Sequence, residues 1–236
     1  MKKIVSLSLL LIVFTSCSVI TMETFRSADT LGGPLHFRAG VGAQMGQFVS
    51  QQSVEGEFYN GDLAYPAANF YLGAGILKNM DIFASTGVAF PSLGAALGVK
   101  YQFYDKLGLK LAVIPTIRFS NFSNSVNVFG ETETYKYMYL GGETPVAATF
   151  SLFNFVLITA GIHGGYYRMA FEQDLEKVYY NLFSYGFYFM PEIKVFAVRF
   201  SPSVDFRWFF TPGVDFVRTT EGFKNVYPSL SISLQI

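Results

Sequence analysis

The stretch GPLHFRAGVGAQMGQF, residues 33–48, decides the fold because apolar and polar side chains alternate along it. The odd positions carry Leu35, Phe37, Ala39, Val41, Ala43 and Met45, and the even positions carry His36, Arg38, Gln44 and glycines. Successive side chains of a β-strand point to opposite faces, so this pattern predicts a strand with one apolar and one polar face. A soluble protein must cover such an apolar face, whereas a barrel in a bilayer exposes it to lipid.

The same alternation marks about ten strands along the chain. The later segments lie near residues 67–77, 81–90, 93–103, 107–119, 135–150, 155–168, 179–194, 197–209 and 227–236. Short turns near residues 78–80, 105, 154 and 195 alternate with long loops near residues 50–66, 120–134, 169–178 and 211–222. Short turns at one end and long loops at the other are typical of outer-membrane barrels. We therefore predict an all-β fold, an antiparallel up-and-down transmembrane β-barrel of about ten strands.

Two other architectures compete with the barrel. Residues 144–167 contain no Asp, Glu, Lys or Arg and are long enough for a transmembrane helix. However, Pro145 lies near the start of this window, Asn154 lies at its middle, and the glycines of TAGIHGG disfavour a helix. A hairpin that turns at Asn154 explains the same window. A soluble lipocalin-like barrel or sandwich would have to bury all the apolar faces, and the sequence offers no helical segments to cover them.

Composition and the N-terminus narrow the class further. The chain has 17 basic and 17 acidic residues, so it has no excess of positive charge to bind nucleic acid. It begins with MKKIVSLSLLLIVFTSC, which has two lysines, an apolar run and small residues, as a signal peptide does. The sequence FTSC resembles the lipobox of bacterial lipoproteins, which implies a lipid on Cys17; ordinary cleavage nearby is the alternative. We expect a signal peptide over residues 1–16, a lipidated N-terminus and polar linker over 17–33, and the barrel over 34–236.

From residue 34 onward the sequence resembles the small single-chain outer-membrane β-barrels of bacteria. The resemblance is carried by YLGAGILKNMDIFASTGVAF and the following LGAALGVKYQF, in which strand, polar turn and strand repeat. It implies a bacterial outer-membrane location and contact with outer-membrane lipids. An even strand count returns the C-terminus to the side of the lipid anchor, so we expect both termini to be periplasmic. The chain ends in Ile236 rather than in the Phe or Trp that is common in this class.

The polar faces of the strands would line the lumen of the barrel. The predicted lumen residues are Arg38, Lys100, Lys110, Arg118, Glu143, His163, Glu192, Arg199, Asp205 and Arg207. Charges in a narrow lumen are expected to pair, which predicts a barrel largely plugged by ion pairs. The alternative is a narrow pore with a weak preference for anions, in which inward glycines such as Gly40 and Gly98 leave space, unless inward tyrosines such as Tyr71 fill it.

The predicted long loops carry most of the acidic residues. The segment EQDLE offers Glu172, Asp174 and Glu176 as oxygen ligands of the type that Ca²⁺ prefers, without the spacing of a known calcium loop. This segment is a candidate cation-binding loop, and the acidic loops together are a candidate surface for an extracellular ligand. The simpler interpretation is that these carboxylates are solvated.

The sequence gives little support for catalysis. Both histidines, His36 and His163, fall on predicted inward faces, and no serine adjoins His163 in the sequence. No catalytic residue, metal site or cofactor is predicted. We interpret the chain as a non-enzymatic scaffold or surface-interaction barrel, with a narrow pore as the first alternative and a lipid-modifying enzyme as the second.

Overall fold

The structure is a computed structural model that describes residues 17–18, 26–54, 57–89, 92–128, 131–173, 176–210 and 223–235. Its strands are β1 (Cys17–Ser18), β2 (Phe37–Val54), β3 (Glu57–Leu77), β4 (Met80–Ala89), β5 (Ser92–Lys106), β6 (Leu109–Val113), β7 (Thr116–Val128), β8 (Glu131–Phe153), β9 (Val156–Gln173), β10 (Glu176–Val195), β11 (Val198–Phe210) and β12 (Phe223–Gln235). Within these ranges, no helix has the length and apolar character needed to cross a membrane.

The strands form one closed antiparallel barrel. Each barrel strand pairs with its neighbours in the chain, and β12 pairs with β2 to close the sheet. β6 and β7 are two parts of one barrel strand, because both pair with β5 on one side and with β8 on the other. The break falls at Pro115, which has no backbone N–H to donate. β2 to β12 therefore make ten barrel strands, and the predicted fold class is confirmed.

Alternation sorts the side chains between the outside and the lumen. On β2, Phe37 and Val41 are about half exposed, whereas Arg38 and Gln44 are each 3 % exposed. On β9, Ile162 is 64 % exposed, whereas His163 beside it is 4 % exposed. The outside of the described barrel is thus apolar and its inside polar, the reverse of a soluble domain. The side chain of Met45 lies outside the described part of the chain.

The two ends of the barrel differ. At one end, which we call the short-turn end, two-residue turns fall at residues 78–79, 107–108, 154–155 and 196–197. Leu107 and Gly108 both have positive φ, at 53° and 77°, as the tight turns of β-hairpins require. The hairpin at Asn154 replaces the rival helix over residues 144–167. The turns predicted at 105 and 195 lie two residues and one residue too early.

At the opposite end, which we call the long-hairpin end, three of the four predicted loops are wrong. Residues 50–54 and 57–66, 120–128 and 131–134, and 169–173 and 176–178 continue the paired strands, so that β8 reaches 23 residues. The backbone groups of these extensions are satisfied by pairing with the neighbouring strands. Both faces of an extension can be polar, because neither face meets lipid. The period of two therefore fades in the sequence although the strand continues. Residues 211–222, the fourth predicted loop, lie outside the described residues.

The part of the predicted linker over residues 26–31 does not lie outside the barrel as a linker would. Residues 26–31, which we call the lumen segment, lie inside it, and Arg26, Ala28 and Asp29 are at most 4 % exposed. The backbone of Cys17 pairs with Val49, toward the long-hairpin end of β2, while Gln235 pairs with Arg38 near the short-turn end. The periplasmic location of both termini stays a prediction.

Candidate functional site in the barrel lumen

The structure places all ten predicted lumen residues inside the barrel. Nine are buried, and Lys110, close to the short-turn end, has a side chain that is 23 % exposed. Their placement follows from the strand period, because each lies on the face opposite the apolar outer side chains. Seven of the ten belong to two charged clusters, and each cluster also includes a residue of the lumen segment.

The first cluster, which we call the deep cluster, consists of Arg26, Glu143, His163, Asp205 and Arg207. Arg26 bridges two acids, since Nη2 donates to Oε1 of Glu143 at 2.8 Å and Nη1 donates to Oδ2 of Asp205 at 2.9 Å. Arg207 bridges the same two acids, at 2.7 Å to Oε2 of Glu143 and 2.8 Å to Oδ2 of Asp205. Nε2 of His163 lies 2.8 Å from Oδ1 of Asp205. Both carboxylates are fully buried and fully paired.

Two tyrosines and a third arginine surround Glu143. The hydroxyl of Tyr167 donates to Oε2 of Glu143 at 2.7 Å, and Nη2 of Arg118 lies 3.4 Å from Oε1. The ring of Tyr139 stacks on Tyr167 with centroids 4.5 Å apart. Glu143 thus receives hydrogen bonds on both oxygens from three arginines and a phenol, which makes it the most connected charge described in the lumen.

The second cluster, which we call the end cluster, consists of Asp29, Lys110, Glu192, Lys194 and Arg199. Asp29 accepts from Lys110 on Oδ1 and from Lys194 and Arg199 on Oδ2, the latter two at 2.9 Å. Arg199 also donates to Glu192 at 2.6 Å. Burial alone would raise the pKa of Asp29, but the charges of Arg199, Lys194 and Lys110 lower this pKa well below its usual range.

The backbone of the lumen segment is also bonded to the barrel wall. The N–H of Ala28 donates to Thr149 at 2.7 Å, and the N–H of Leu31 donates to both carboxylate oxygens of Asp81 at 3.1 Å. The carbonyl of Arg26 accepts from the hydroxyl of Tyr188 at 2.8 Å, and the carbonyl of Asp29 accepts from Lys100 at 3.1 Å. Such bonds matter because an unpaired backbone group in a buried place is costly.

Three inward glycines face aromatic rings rather than open space. A Cβ atom added to Gly40 would overlap the ring of Tyr71, and one added to Gly98 would overlap the ring of Phe83. Gly161 accommodates the ring of Tyr188 in the same way. Aromatic rings therefore fill the places of the absent side chains. A small cavity remains beside the lumen segment, and its lining includes Ser27, Arg38, Glu192, Ser201, Ser231 and Ser233.

Sequence reasoning missed two residues of the site, Arg26 and Asp29. They lie in RSADTL, which has no strand alternation and reads as an ordinary polar linker. The predicted excess of basic residues over acidic residues in the lumen is compatible with a further acid such as Asp29, but it gives no signal for Arg26.

The other predicted sites lie away from the lumen. His36 is exposed and its Nδ1 lies 3.3 Å from the carbonyl of Gly33, so its predicted inward position is wrong. Of the candidate cation-binding loop, Glu172 pairs with Lys136 at 3.6 Å, the backbone of Glu176 pairs with Gln173, and Asp174 lies outside the described residues. Among the residues that the structure describes, no three His, Cys, Asp or Glu side chains gather as metal ligands.

Comparisons with known proteins do not assign the chain to a family. No protein-family model and no curated protein matches the chain in sequence. Among solved structures, the chain is similar to the outer-membrane protease OmpT of Escherichia coli, with a TM-score of 0.48 and 7 % identity over 89 % of this chain and 98 % of that one. It is also similar to Neisserial surface protein A, with a TM-score of 0.39 and 12 % identity over 84 % of this chain and 96 % of that one.

A third similar structure is Ail, the attachment invasion locus protein of Yersinia pestis, with a TM-score of 0.37 and 8 % identity over 85 % of this chain and 98 % of that one. At these values the likenesses give no argument about activity. The barrel itself, closed, antiparallel and apolar outside, has the architecture of the small outer-membrane β-barrels.

Proposed function

We propose that the protein is a non-enzymatic outer-membrane β-barrel lipoprotein, a scaffold or surface-interaction barrel whose lumen is closed by its own N-terminal segment. The observation that carries this proposal is the double anchoring of the lumen segment. Arg26 is held by acids of β8 and β11, and Asp29 is held by cations of β6, β10 and β11. Two opposite charges, three residues apart, thus tie one segment to four strands of the wall.

The outer surface supports the membrane location. Apolar side chains such as Leu97 and Ile117, each 63 % exposed, point away from the barrel. Exposing such a face to water is unfavourable, whereas a bilayer accommodates it. Aromatic residues at the short-turn end, including the stacked pair Phe153 and Phe155, lie where an interfacial girdle is expected. The lipid on Cys17 is proposed from the FTSC sequence alone.

The narrow pore is the second candidate, and one observation favours it. In the described lumen, eight basic side chains face five acidic ones. The basic residues are Arg26, Arg38, Lys100, Lys110, Arg118, Lys194, Arg199 and Arg207, and the acidic residues are Asp29, Asp81, Glu143, Glu192 and Asp205. A water path beside the serines of β11 and β12 would therefore prefer anions.

The arrangement at His163 supports a non-enzymatic role. Hydrolysis of the serine type needs a nucleophile, a base and an orienting acid joined by hydrogen bonds. His163 does contact Asp205, but in the described part of the chain neither Nδ1 of His163 nor the hydroxyl of Ser184 makes a hydrogen bond. Both side chains are buried within the lumen, where the lumen segment restricts access.

Conductance of single molecules in a planar bilayer tests the proposal. The protein is refolded, and heat-dependent gel mobility verifies the folded barrel. We expect no current steps from the natural sequence. We expect steps from the double variant Arg26→Ala/Asp29→Ala, because the segment then lacks both anchors and can leave the lumen. The current of this variant should prefer anions.

A matched control removes one base and one acid elsewhere. Lys136→Ala/Glu172→Ala breaks an exposed pair outside the lumen and should stay silent. Steady current from the natural sequence would favour the narrow pore instead. Silence from a folded Arg26→Ala/Asp29→Ala barrel would show that the lumen segment is not the seal. Partner-binding assays with the natural sequence would then be directed to the long-hairpin end.

A further inference from the structure

The side chains around Asp29 are those expected of an anion-binding site. We propose that Lys110, Lys194 and Arg199 form a site for a small oxyanion, a carboxylate or a phosphate, which the chain's own Asp29 occupies when the lumen segment is in place. The inference rests on the proposed function only in taking the lumen segment to be able to leave the barrel. It goes beyond that proposal in naming what the vacated lumen would bind.

The donor geometry is that of an oxyanion site. Both oxygens of Asp29 accept from charged donors, Oδ1 from Lys110 and Oδ2 from Lys194 and Arg199. Lys100 points to the same place, since its Nζ donates to the Asp29 carbonyl at 3.1 Å. Four cationic side chains thus converge on one residue. Charge-assisted hydrogen bonds of this kind are the strong ones, and carboxylate and phosphate are the groups they recognise.

The donors belong to the wall, so the site does not depend on the lumen segment for its shape. Lys100, Lys110, Lys194 and Arg199 lie on β5, β6, β10 and β11, each of which is paired on both sides within the closed sheet. A strand that is hydrogen-bonded to a neighbour on each side keeps its backbone position, so its side chains keep their direction. The donors would therefore stay in place when the segment leaves.

The site is reachable from water at the short-turn end. Lys110 follows the turn at residues 107–108, and Lys194 precedes the turn at 196–197. Their side chains are 23 % and 24 % exposed, whereas the carboxylates of the deep cluster are fully buried. A small solute can approach the end cluster from this side without passing the deep cluster.

Charge balance requires an occupant. Without Asp29, the acid that remains bonded to these donors is Glu192, which accepts from Arg199 on Oε1 and from Ser201 on Oε2. Lys110, Lys194 and Arg199 would then face one another across the vacated space with a single carboxylate between them. These three positive charges would repel one another, and a bound anion would reduce that repulsion.

Chemical rescue tests the site. The variant Asp29→Ala removes the carboxylate and leaves room for a small anion. We expect a lower midpoint of thermal unfolding in micelles, which sodium phosphate, and separately sodium acetate, raises by at least about 3 °C at constant ionic strength, because a ligand of the folded state stabilises it. The natural sequence should not respond, because Asp29 already fills the site. Asp29→Ser is a second small variant in case Asp29→Ala does not refold.

Two controls make the outcome decisive. Asp105→Ala removes an exposed carboxylate near the same end of the barrel and should give no phosphate response. Adding Lys110→Gln and Lys194→Gln to Asp29→Ala should abolish the response while the barrel still folds. The proposal is overturned if Asp29→Ala and Asp29→Ser respond no more than Asp105→Ala. This test measures thermal stability and not current. The anion site can therefore be supported even if the conductance test contradicts the proposed seal.

Discussion

The deep cluster and the end cluster both join the lumen segment to the barrel, but they do so in different surroundings. The deep cluster has two acids between two arginines, and the side chains of Glu143, His163, Asp205 and Arg207 are wholly shielded from water. The end cluster has a single segment carboxylate among three cations, two of which are about one quarter exposed. The deep cluster is therefore a contact that fixes the structure, whereas the carboxylate of the end cluster can be exchanged.

The physical basis of this difference is the solvent. In a dry site an ion pair cannot be replaced by water, so removing one partner leaves a buried charge with nothing to balance it. In a partly wet site, water and dissolved ions compensate for part of the loss. We therefore expect substitutions in the deep cluster to cost more, and their effects to depend less on salt, than substitutions in the end cluster.

The largest effect is expected for Glu143→Gln. This change keeps the shape of the side chain but leaves Arg26, Arg118 and Arg207 with Asp205 as the acid of the cluster. Breaking a buried ion pair in this way costs about 3–5 kcal/mol. The measurement is the free energy of unfolding in urea, in micelles, at low and at high salt.

The exposed variant Asp105→Asn serves as the control for Glu143→Gln and should change the free energy of unfolding by less than about 0.5 kcal/mol. A loss below about 1 kcal/mol for Glu143→Gln, or a loss that high salt removes, would contradict the view that the deep cluster is dry.

A smaller and condition-dependent effect is expected for Asp29→Asn, about 1.5–3 kcal/mol near neutral pH, because hydrogen bonds to a charged group are lost. The folded-state pKa of Asp29 lies below the value of about 3.8 for an unperturbed Asp. Its contribution is therefore fully present above about pH 5 and is lost as the pH falls toward the folded-state pKa.

The free energy of unfolding of the natural protein minus that of Asp29→Asn, measured between pH 7 and pH 2, tests this expectation. The difference should be constant above about pH 5 and should shrink below pH 4, and added salt should reduce it at every pH. A difference that grew on acidification would mean that Asp29 is protonated in the folded protein.

The strands and the lumen were accessible to sequence reasoning because one physical rule controls both. Where a strand has lipid on one side and a polar lumen on the other, every second residue is constrained, so Arg38, His163 and Arg207 could be assigned to the inside without a structure. The alternation ends where a strand no longer faces lipid. For this reason the sequence predicts loops where the strands of the long-hairpin end continue.

Sequence reasoning could not give the partners inside the lumen. Arg207 and Glu143 are 64 residues apart, and they meet only because the closed sheet brings β8 and β11 to face the same space. Arg26 and Asp29 carry no periodic signal, since a six-residue segment without strand pairing leaves no alternation to detect. The excess of basic residues in the lumen predicted a weak preference for anions, but not that the chain would supply a carboxylate from outside the strands.

The smallest effect is expected outside both clusters, for Lys136→Ala. Lys136 lies 3.6 Å from Glu172 with its side chain 54 % exposed, at the long-hairpin end where water surrounds the pair. Exposed pairs of this kind contribute about 0–1 kcal/mol, and the loss should fall within about 0.5 kcal/mol. The urea unfolding midpoint measures it. If Lys136→Ala cost as much as Asp29→Asn, exposure would not be what separates the contacts, and the contrast between the dry and the wet cluster would lose its physical basis.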